Sequence, residues 1–355
     1  MSTMSNLSRD LVEMILSRLP ITSLREVRST CKRWNDLIKD PKFIKKHYGQ
    51  EAKEILMIMI YDSRACLMSL NLHGNHKDLV DPSIKQIGKL DQVKIINVFH
   101  CNGFLLCVTK NHSRVMVLVW NPYLGQTKWI QLRNDYHILD SFAMGFDSNN
   151  NNHKILRFSY SFNQKYEIYN FQSNSWRVLD IINNWSIYRG DVTLKGNTYF
   201  IAKEKLKVEE FLICFDFTSE RFGPFLPLSF HPRPEDYVLL SAVREDKLAV
   251  LFKKHDAYEM EIWITTQIEP NTVSWSSFLK FDVRFLNESF LFPYASFFVE
   301  ENKKVALIYA IDRASGTNQK AYIVGENGYY REVALRDSKC WILMCSYVPS
   351  SVQIE

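Results

Sequence analysis

The sequence predicts a small all-α N-terminal segment of three to four short helices followed by an all-β propeller-like domain of six four-stranded blades. Helical periodicity is confined to residues 1–50, and beyond them a unit of roughly 50 residues recurs five times. Unmatched strand segments at both ends of the β region supply the sixth unit. The division read from these patterns is residues 1–50 and residues 51–355.

In the first segment Leu7, Leu11, Ile15 and Leu19 recur every four residues, with Val12 and Leu16 beside them. This spacing places one apolar stripe on a helix that Ser8 can cap and Pro20 ends. A second start lies at Ser23, where Ser23-Leu24-Arg25-Glu26 has the form of a capping box. Leu24, Val27, Cys31, Trp34 and Ile38 continue the stripe, with room for a break inside it. Asp40-Pro41 offers an N-cap and a first-turn proline for a last short helix carrying Phe43.

After about Ile55 the pattern becomes short runs of β-branched and aromatic residues bounded by Asn, Asp and Gly. An apolar strand follows a turn at Gly103, Lys154, Asn197, Lys247 and Lys304, with starts 51, 43, 50 and 57 residues apart. Each is preceded by one strand and followed by another, then by a polar turn and an aromatic: Trp129, Trp176, Phe222, Trp275, Tyr330. Four strands in roughly 50 residues is the content of a propeller blade. Residues 55–61 and 66–72 together with 341–347 then make a blade shared between the two ends, which closes the ring. An open or irregular arrangement of the same blades is the alternative. The recurring aromatic reads more simply as core packing than as a ligand cage.

Composition bounds the function. The chain of 355 residues is 46% hydrophobic and 23% charged, an ordinary globular mixture, and its 48 aromatic residues exclude disorder as the main state. The longest apolar run, residues 55–61, is far below the ~20 needed to cross a bilayer, and charges at Arg9, Asp10, Glu13 and Arg18 exclude a secretory signal, so an intracellular location, nuclear or cytoplasmic, is expected. Seven scattered cysteines fit free thiols in a reducing compartment. Residues 1–50 hold ten Lys/Arg against five Asp/Glu, the whole excess of +5, so the β region is balanced and no nucleic-acid partner is expected.

Catalytic signatures are absent: there is no phosphate-binding loop, dinucleotide fingerprint, nucleophile elbow or zinc-protease helix. His73 and His76 lie in a Gly-Asn loop and read as solvated, and His100-Cys101 are adjacent residues that point apart. No metal, no cofactor and no catalytic residue is expected. The helical segment is different, because some fifty residues bury little of their own surface, and so rich a stripe needs either a partner or the propeller to cover it.

Leu7, Asp10-Leu11-Val12-Glu13, Ile15-Leu16, Leu19-Pro20, Ser23-Leu24, Val27-Arg28 and above all Cys31-Lys32-Arg33-Trp34-Asn35 resemble an F-box. The remainder resembles the F-box-associated domain of plant F-box proteins with kelch-like repeats. Asn102-Gly103-Phe104-Leu105-Leu106-Cys107, Val119-Trp120-Asn121-Pro122-Tyr123-Leu124-Gly125-Gln126-Thr127-Lys128-Trp129-Ile130 and Cys345-Ser346-Tyr347-Val348-Pro349-Ser350 carry that likeness. The resemblance implies docking on a Skp-type adaptor, and through it on cullin and RING subunits. The chain would then be the non-catalytic substrate receptor of an SCF ubiquitin ligase, and an unidentified protein its target. It assigns Leu7, Leu11, Leu16, Pro20, Leu24, Val27 and Trp34 to the adaptor surface. One departure stands out: Leu7-Ser8 replaces the family's Leu-Pro, which opens the alternative of a stand-alone protein- or glycan-binding propeller with an idle F-box. A propeller enzyme is the third reading, and it needs convergent polar residues at the ring's centre. Loops 147–153, 202–210, 231–237 and 313–319 are the expected target-binding elements.

Overall fold

The computed structural model describes residues 7–19, 21, 23–48, 55–61, 63–73, 80–90, 93–111, 114–134, 140–159, 165–204, 209–244, 246–284, 290–312, 319–333 and 344–354. Four helices come first: α1 (Arg9–Leu16), α2 (Leu24–Arg28), α3 (Lys32–Ile38) and α4 (Pro41–Tyr48). Ser8 caps α1, its hydroxyl accepting from the Leu11 N–H at 3.2 Å. The expected capping box at Ser23 does not form, because Ser23 itself has helical angles and its side chain accepts no cap bond. The stripe then breaks: the Ser29 and Thr30 hydroxyls donate to the Glu26 and Val27 carbonyls at 2.6 and 2.7 Å, ending α2 after five residues. Asp40 accepts from the Lys42 N–H at 2.9 Å, and Pro41 opens α4.

Six antiparallel four-stranded sheets follow. Blade I is β24 (Met344–Ser346), β1 (Ile55–Tyr61), β2 (Arg64–His73) and β3 (Val80–Leu90). Blade II is β4 (Ile95–Cys101), β5 (Phe104–Asn111), β6 (Arg114–Asn121) and β7 (Gln126–Ile130). Blade III is β8 (Asp140–Phe146), β9 (His153–Ser159), β10 (Tyr166–Asn170) and β11 (Ser175–Leu179). Blade IV is β12 (Trp185–Leu194), β13 (Asn197–Glu204), β14 (Glu210–Asp216) and β15 (Arg221–Phe222). Blade V is β16 (Tyr237–Val243), β17 (Lys247–Lys253), β18 (Glu259–Glu269) and β19 (Thr272–Asp282). Blade VI is β20 (Phe290–Glu300), β21 (Val305–Asp312), β22 (Gln319–Gly325) and β23 (Tyr330–Val333).

The C-terminal strand closes the ring, β24 pairing with β1 through Met57↔Ser346, Ile58↔Cys345 and Met59↔Met344. Apolar clusters fill every interface between neighbouring blades, including VI against I, where Met57, Met59 and Leu70 meet Phe298, Leu307 and Ile323. A side chain on a strand can face only one of two neighbours, so this alternate packing is what the short apolar runs encode.

The recurring fourth-strand aromatics do not all pack in the core. Trp129 is 48% and Tyr330 54% exposed. Trp176 and Trp275 instead clasp the preceding blade, their indole N–H groups donating to the Gln131 and Pro227 carbonyls at 2.8 and 2.9 Å. An indole on an outer strand satisfies its polar edge this way while its rings cover the seam.

Candidate functional site

Strand direction alternates within each blade, so turns from first to second and from third to fourth strand open on one face of the ring. All other connections open on the opposite face. The helices sit on the first of these faces, over blades I and II. Val12, Leu16, Leu24, Trp34, Leu37, Ile38 and Phe43 form one continuous cluster with Leu56, Leu105, Leu118, Trp120 and Tyr123.

The turn after Asn121 makes the joint. Tyr123 is wholly buried, and its hydroxyl donates to the Ile38 carbonyl at 2.6 Å, bonding the end of α3 to the β6–β7 turn. Arg28 donates to the Leu124 carbonyl at 3.4 Å. The Asn121 amide donates to the Ser350 and Val352 carbonyls at 3.1 and 2.9 Å, while its oxygen accepts from the Leu124 N–H at 3.0 Å. Gly125 takes φ +66, as the turn requires. Gly103, at φ +76, lies so close to the tail that a Cβ there would stand 2.4 Å from the Ser350 Cβ. The three stretches that carry the likeness to the F-box-associated domain therefore converge on one joint between ring closure, C-terminal tail and helices.

Of the residues expected at an adaptor surface, Leu16, Leu24 and Trp34 lie inside this shared core, at 0, 0 and 9% exposure. Leu7 and Val27 are half-buried against it, Leu11 is exposed, and Pro20 falls outside the described residues. Leu11, Met14 and Ile15 stand 38 to 45% exposed on the outer side of α1 and form an apolar strip with Leu7 at its head. Met14 carries no place in the four-residue repeat, which is why the sequence reading missed it. Its position three residues after Leu11 was the available signal. Arg33 donates to the Leu7 carbonyl at 2.7 Å, tying the start of α1 to α3. Arg9–Asp40 and Lys46–Glu13 ion pairs, both 2.6 Å, brace the helices at the surface.

The opposite face gathers loops. The ends of 202–210, 231–237 and 313–319 open there, whereas 147–153 opens on the helix face. Residues 205–208 and 313–318 lie outside the described residues. Loop 147–153 is tied to itself, Asp147 accepting from the Asn149 N–H at 2.9 Å, and to blade IV, the Ser148 N–H donating to the Thr218 hydroxyl at 2.9 Å. In 231–237, buried Asp236 accepts from the backbone N–H of Arg233 and of His255, both at 2.9 Å, leaving His231, Arg233 and Glu235 exposed. Exposed Ile182, Tyr188 and Tyr258 add apolar area on this face.

At the ring's centre, burial raises the Asp191 carboxyl well above the carboxylate range and pushes the Cys345 thiol up to about 12. The Cys345 thiol is therefore protonated near pH 7 and is not an activated nucleophile. His100 accepts from the Gly103 N–H at 3.2 Å, and burial lowers its pKa to about 4. Cys107 is buried among apolar side chains, which raises its thiol far from reactivity. His76 lies outside the described residues, and among those described no three His, Cys, Asp or Glu side chains are placed to hold a metal ion. No described helix is long and apolar enough to cross a membrane. A cleft of about 240 Å³ on the helix face, between blades IV and V, is lined by Asp216, Arg221, Phe222, Pro224 and Pro270.

Comparison with known proteins agrees with this architecture. Residues 4–46 match the F-box domain, and residues 56–354 match the F-box associated beta propeller domain. At5g51000 of Arabidopsis thaliana is 58% identical over 361 residues, spanning 97% of this chain and 94% of its own length. The F-box/kelch-repeat protein At3g13680 of the same plant is 46% identical, spanning 100% of this chain and 97% of its own. The F-box protein At3g49510, again from Arabidopsis, is 47% identical, and the match spans 100% of both chains. The chain belongs to the plant F-box proteins that carry an F-box-associated β-propeller.

Proposed function

We propose that this chain is the non-catalytic substrate receptor of an SCF-type ubiquitin ligase. Its helices bind a Skp-type adaptor, which brings cullin and RING subunits, and the propeller holds a target protein for ubiquitination. The observation that carries this is the two-sided helical segment. Its inner stripe is spent on the propeller, yet Leu11, Met14 and Ile15 still present an apolar strip outward. Covering three half-exposed side chains of this size stabilises a complex by about 1 kcal/mol each. Leu7, Leu11 and Val27 contribute contact area, and Leu16, Leu24 and Trp34 support the strip from behind. The target is taken on the face away from the helices, where three of the four long loops open and the adaptor assembly does not intrude.

Calorimetry of the full chain with a Skp-type adaptor tests the reading. Leu11→Asp with Ile15→Asp is expected to weaken binding by ~2–4 kcal/mol, on the order of 30- to 1000-fold, with no change in melting temperature. Ser8 in place of the family's proline favours a second reading, a stand-alone binding propeller whose F-box is idle. Wild-type chain that does not bind the adaptor, and is not rescued by Ser8→Pro, decides for that second reading.

A further inference from the structure

β12, the inner strand of blade IV, leaves the regular ladder twice. Its partners on β13 run Ile187↔Ala202, Arg189↔Ile201 and Val192↔Tyr199, so two residues of β12 are extra. Bulges of this kind re-aim side chains. Gly190, at φ +76, turns the second one, a conformation that glycine accepts without cost. β12 approaches its neighbours β8 and β16 and also β4 of blade II, with Cα atoms within 8 Å across the ring. Asp191 follows the glycine, and its carboxyl acts on the Cys345 thiol, which sits on the inner strand of blade I, opposite blade IV in the ring of six. The bulge therefore carries a carboxyl into the middle of the channel.

That carboxyl is left without a partner. Arg189, the cation nearest in sequence, is turned away: its guanidinium donates to Glu210 Oε1 and to the Val238 carbonyl, both at 3.4 Å, and lies 4.5 Å from the Tyr188 ring centre. Among the described residues no hydrogen bond or ion pair reaches Asp191, and the residue is partly exposed. A carboxyl drawn out of bulk water with no partner costs free energy that a bound cation relieves. The channel also has a direction. Toward the helix face its inner strands end in buried Cys101, Leu194, Val243 and Ser346, whereas toward the opposite face Ile96 and Tyr188 stand 46 and 49% exposed. The two extra residues of β12 bring Asp191 level with Phe200 of β13, only about 5 Å below Tyr188. A long side chain entering from that mouth spans this depth.

We propose that the central channel takes an arginine side chain of the target protein, with its guanidinium on Asp191 and its apolar stem between Ile96 and Tyr188. Charge complementarity names the cation, and the apolar mouth names the stem that carries it. Arginine suits the place better than lysine. Its five donors can use the carboxylate in a bidentate pair together with inner-edge carbonyls that have no neighbouring strand, and it is the more weakly hydrated of the two. A metal ion fits less well, because the carboxyl and the thiol are two donors where such an ion takes four or more, and no set of three stands together among the described residues. This deepens the reading of the propeller as the target-binding part and rests on it for the source of the arginine. The adaptor takes no part, so adaptor calorimetry and channel binding fail separately.

The probe is the capped pentapeptide Gly-Gly-Arg-Gly-Gly, set against the same peptide with citrulline, which keeps the shape and loses the charge. Saturation-transfer NMR on the full chain at millimolar peptide should show the arginine side chain in contact with the protein, and the citrulline peptide should bind on the order of tenfold more weakly. This contrast leaves the protein unaltered, so it decides even where a variant folds poorly. Asp191→Asn should abolish the difference between the peptides while adaptor affinity stays at its wild-type value. Its melting temperature should be unchanged or higher, because an unpaired carboxyl has left the centre. Equal binding of the two peptides, or arginine binding retained by Asp191→Asn, overturns the proposal. Displacement of the arginine peptide by millimolar calcium or magnesium, and not by sodium chloride at the same ionic strength, overturns it in favour of a metal ion.

Discussion

The two faces of the propeller are built on different principles. On the helix face, separate parts of the chain are joined by buried bonds: Tyr123 to Ile38, Asn121 to Ser350 and Val352, and Tyr347 N–H to the Leu56 carbonyl at 2.9 Å. On the opposite face, loop 231–237 exposes His231, Arg233 and Glu235 over a few pinning bonds such as those of Asp236, and Glu209 is exposed at the end of loop 202–210. The difference separates fixed from variable. The face that orients the helices is over-determined, and the opposite face carries groups that can change without cost to the fold.

The most severe test of that contrast is Trp34→Ala. Trp34 lies in a cluster that runs from the helices into blades I and II, so truncation leaves a cavity in the joint and should cost about 3–5 kcal/mol. Chemical denaturation should show helices and propeller still unfolding together at a lower midpoint. A propeller transition left at the wild-type midpoint breaks the claim that the helix face is one unit.

Acid should find the same face. His153 packs against Phe104 and Phe146 with ring centroids 4.6 and 5.7 Å away, and burial lowers its pKa to about 4. An unfolded histidine titrates near ~6.5, so between these values the unfolded chain binds more protons than the native one. The contribution, about 3 kcal/mol for a shift of this size, is complete above pH ~6.5 and lost as pH falls toward 4. His100, depressed to about 4 by burial, acts in the same direction. Melting temperature followed from pH 7.5 to 4.5 should fall through this window, and His153→Phe should flatten the slope. An unchanged slope assigns the effect to other groups.

Asn121→Ala comes next, at about 2–3 kcal/mol, since one buried amide serves the Ser350 and Val352 carbonyls and the Leu124 N–H. Protease should then clip the C-terminal tail first. Tail cleavage no faster than wild type refutes the joint as drawn. Arg233→Glu with Glu235→Lys, on the opposite face, should move stability by no more than about 0.5 kcal/mol. The same pair should abolish target capture and spare adaptor binding. Loss of fold in this variant erases the distinction between the faces.

The blades were legible because strand packing between two neighbours leaves a short, dense apolar run, and that run recurs at Gly103, Lys154, Asn197, Lys247 and Lys304. Closure was legible from unmatched strands at the two ends. The full length of the inner strands was not legible where bulges interrupt alternation, as between Ile187, Arg189 and Val192 in β12. The docking of the helices was not legible. Tyr123 reads as a turn residue, and no periodicity reveals that its hydroxyl reaches Ile38, 85 positions away in sequence. Apolar stripes look alike whether they meet a propeller or a partner, so Leu16, Leu24 and Trp34 were grouped with Leu11 although the structure separates them by burial.

The smallest expected effect concerns Ser8, where the chain departs from its family. Ser8 has φ −60 and ψ 157, angles a proline ring accepts without strain. Ser8→Pro removes the hydroxyl's bond to the Leu11 N–H, a loss of about 0.5–1 kcal/mol, and restricts the unfolded chain, a gain of similar size. Net stability should therefore shift by only a few tenths of a kcal/mol. Adaptor affinity should be unchanged or higher, because the apolar ring stands directly before the outward strip of Leu11, Met14 and Ile15, where serine offers only a hydroxyl. Calorimetry on wild type and variant measures both quantities. Weaker adaptor binding with unaltered stability means that the Ser8 hydroxyl itself takes part in the interface, and the departure is then an adaptation of the surface rather than a tolerated loss.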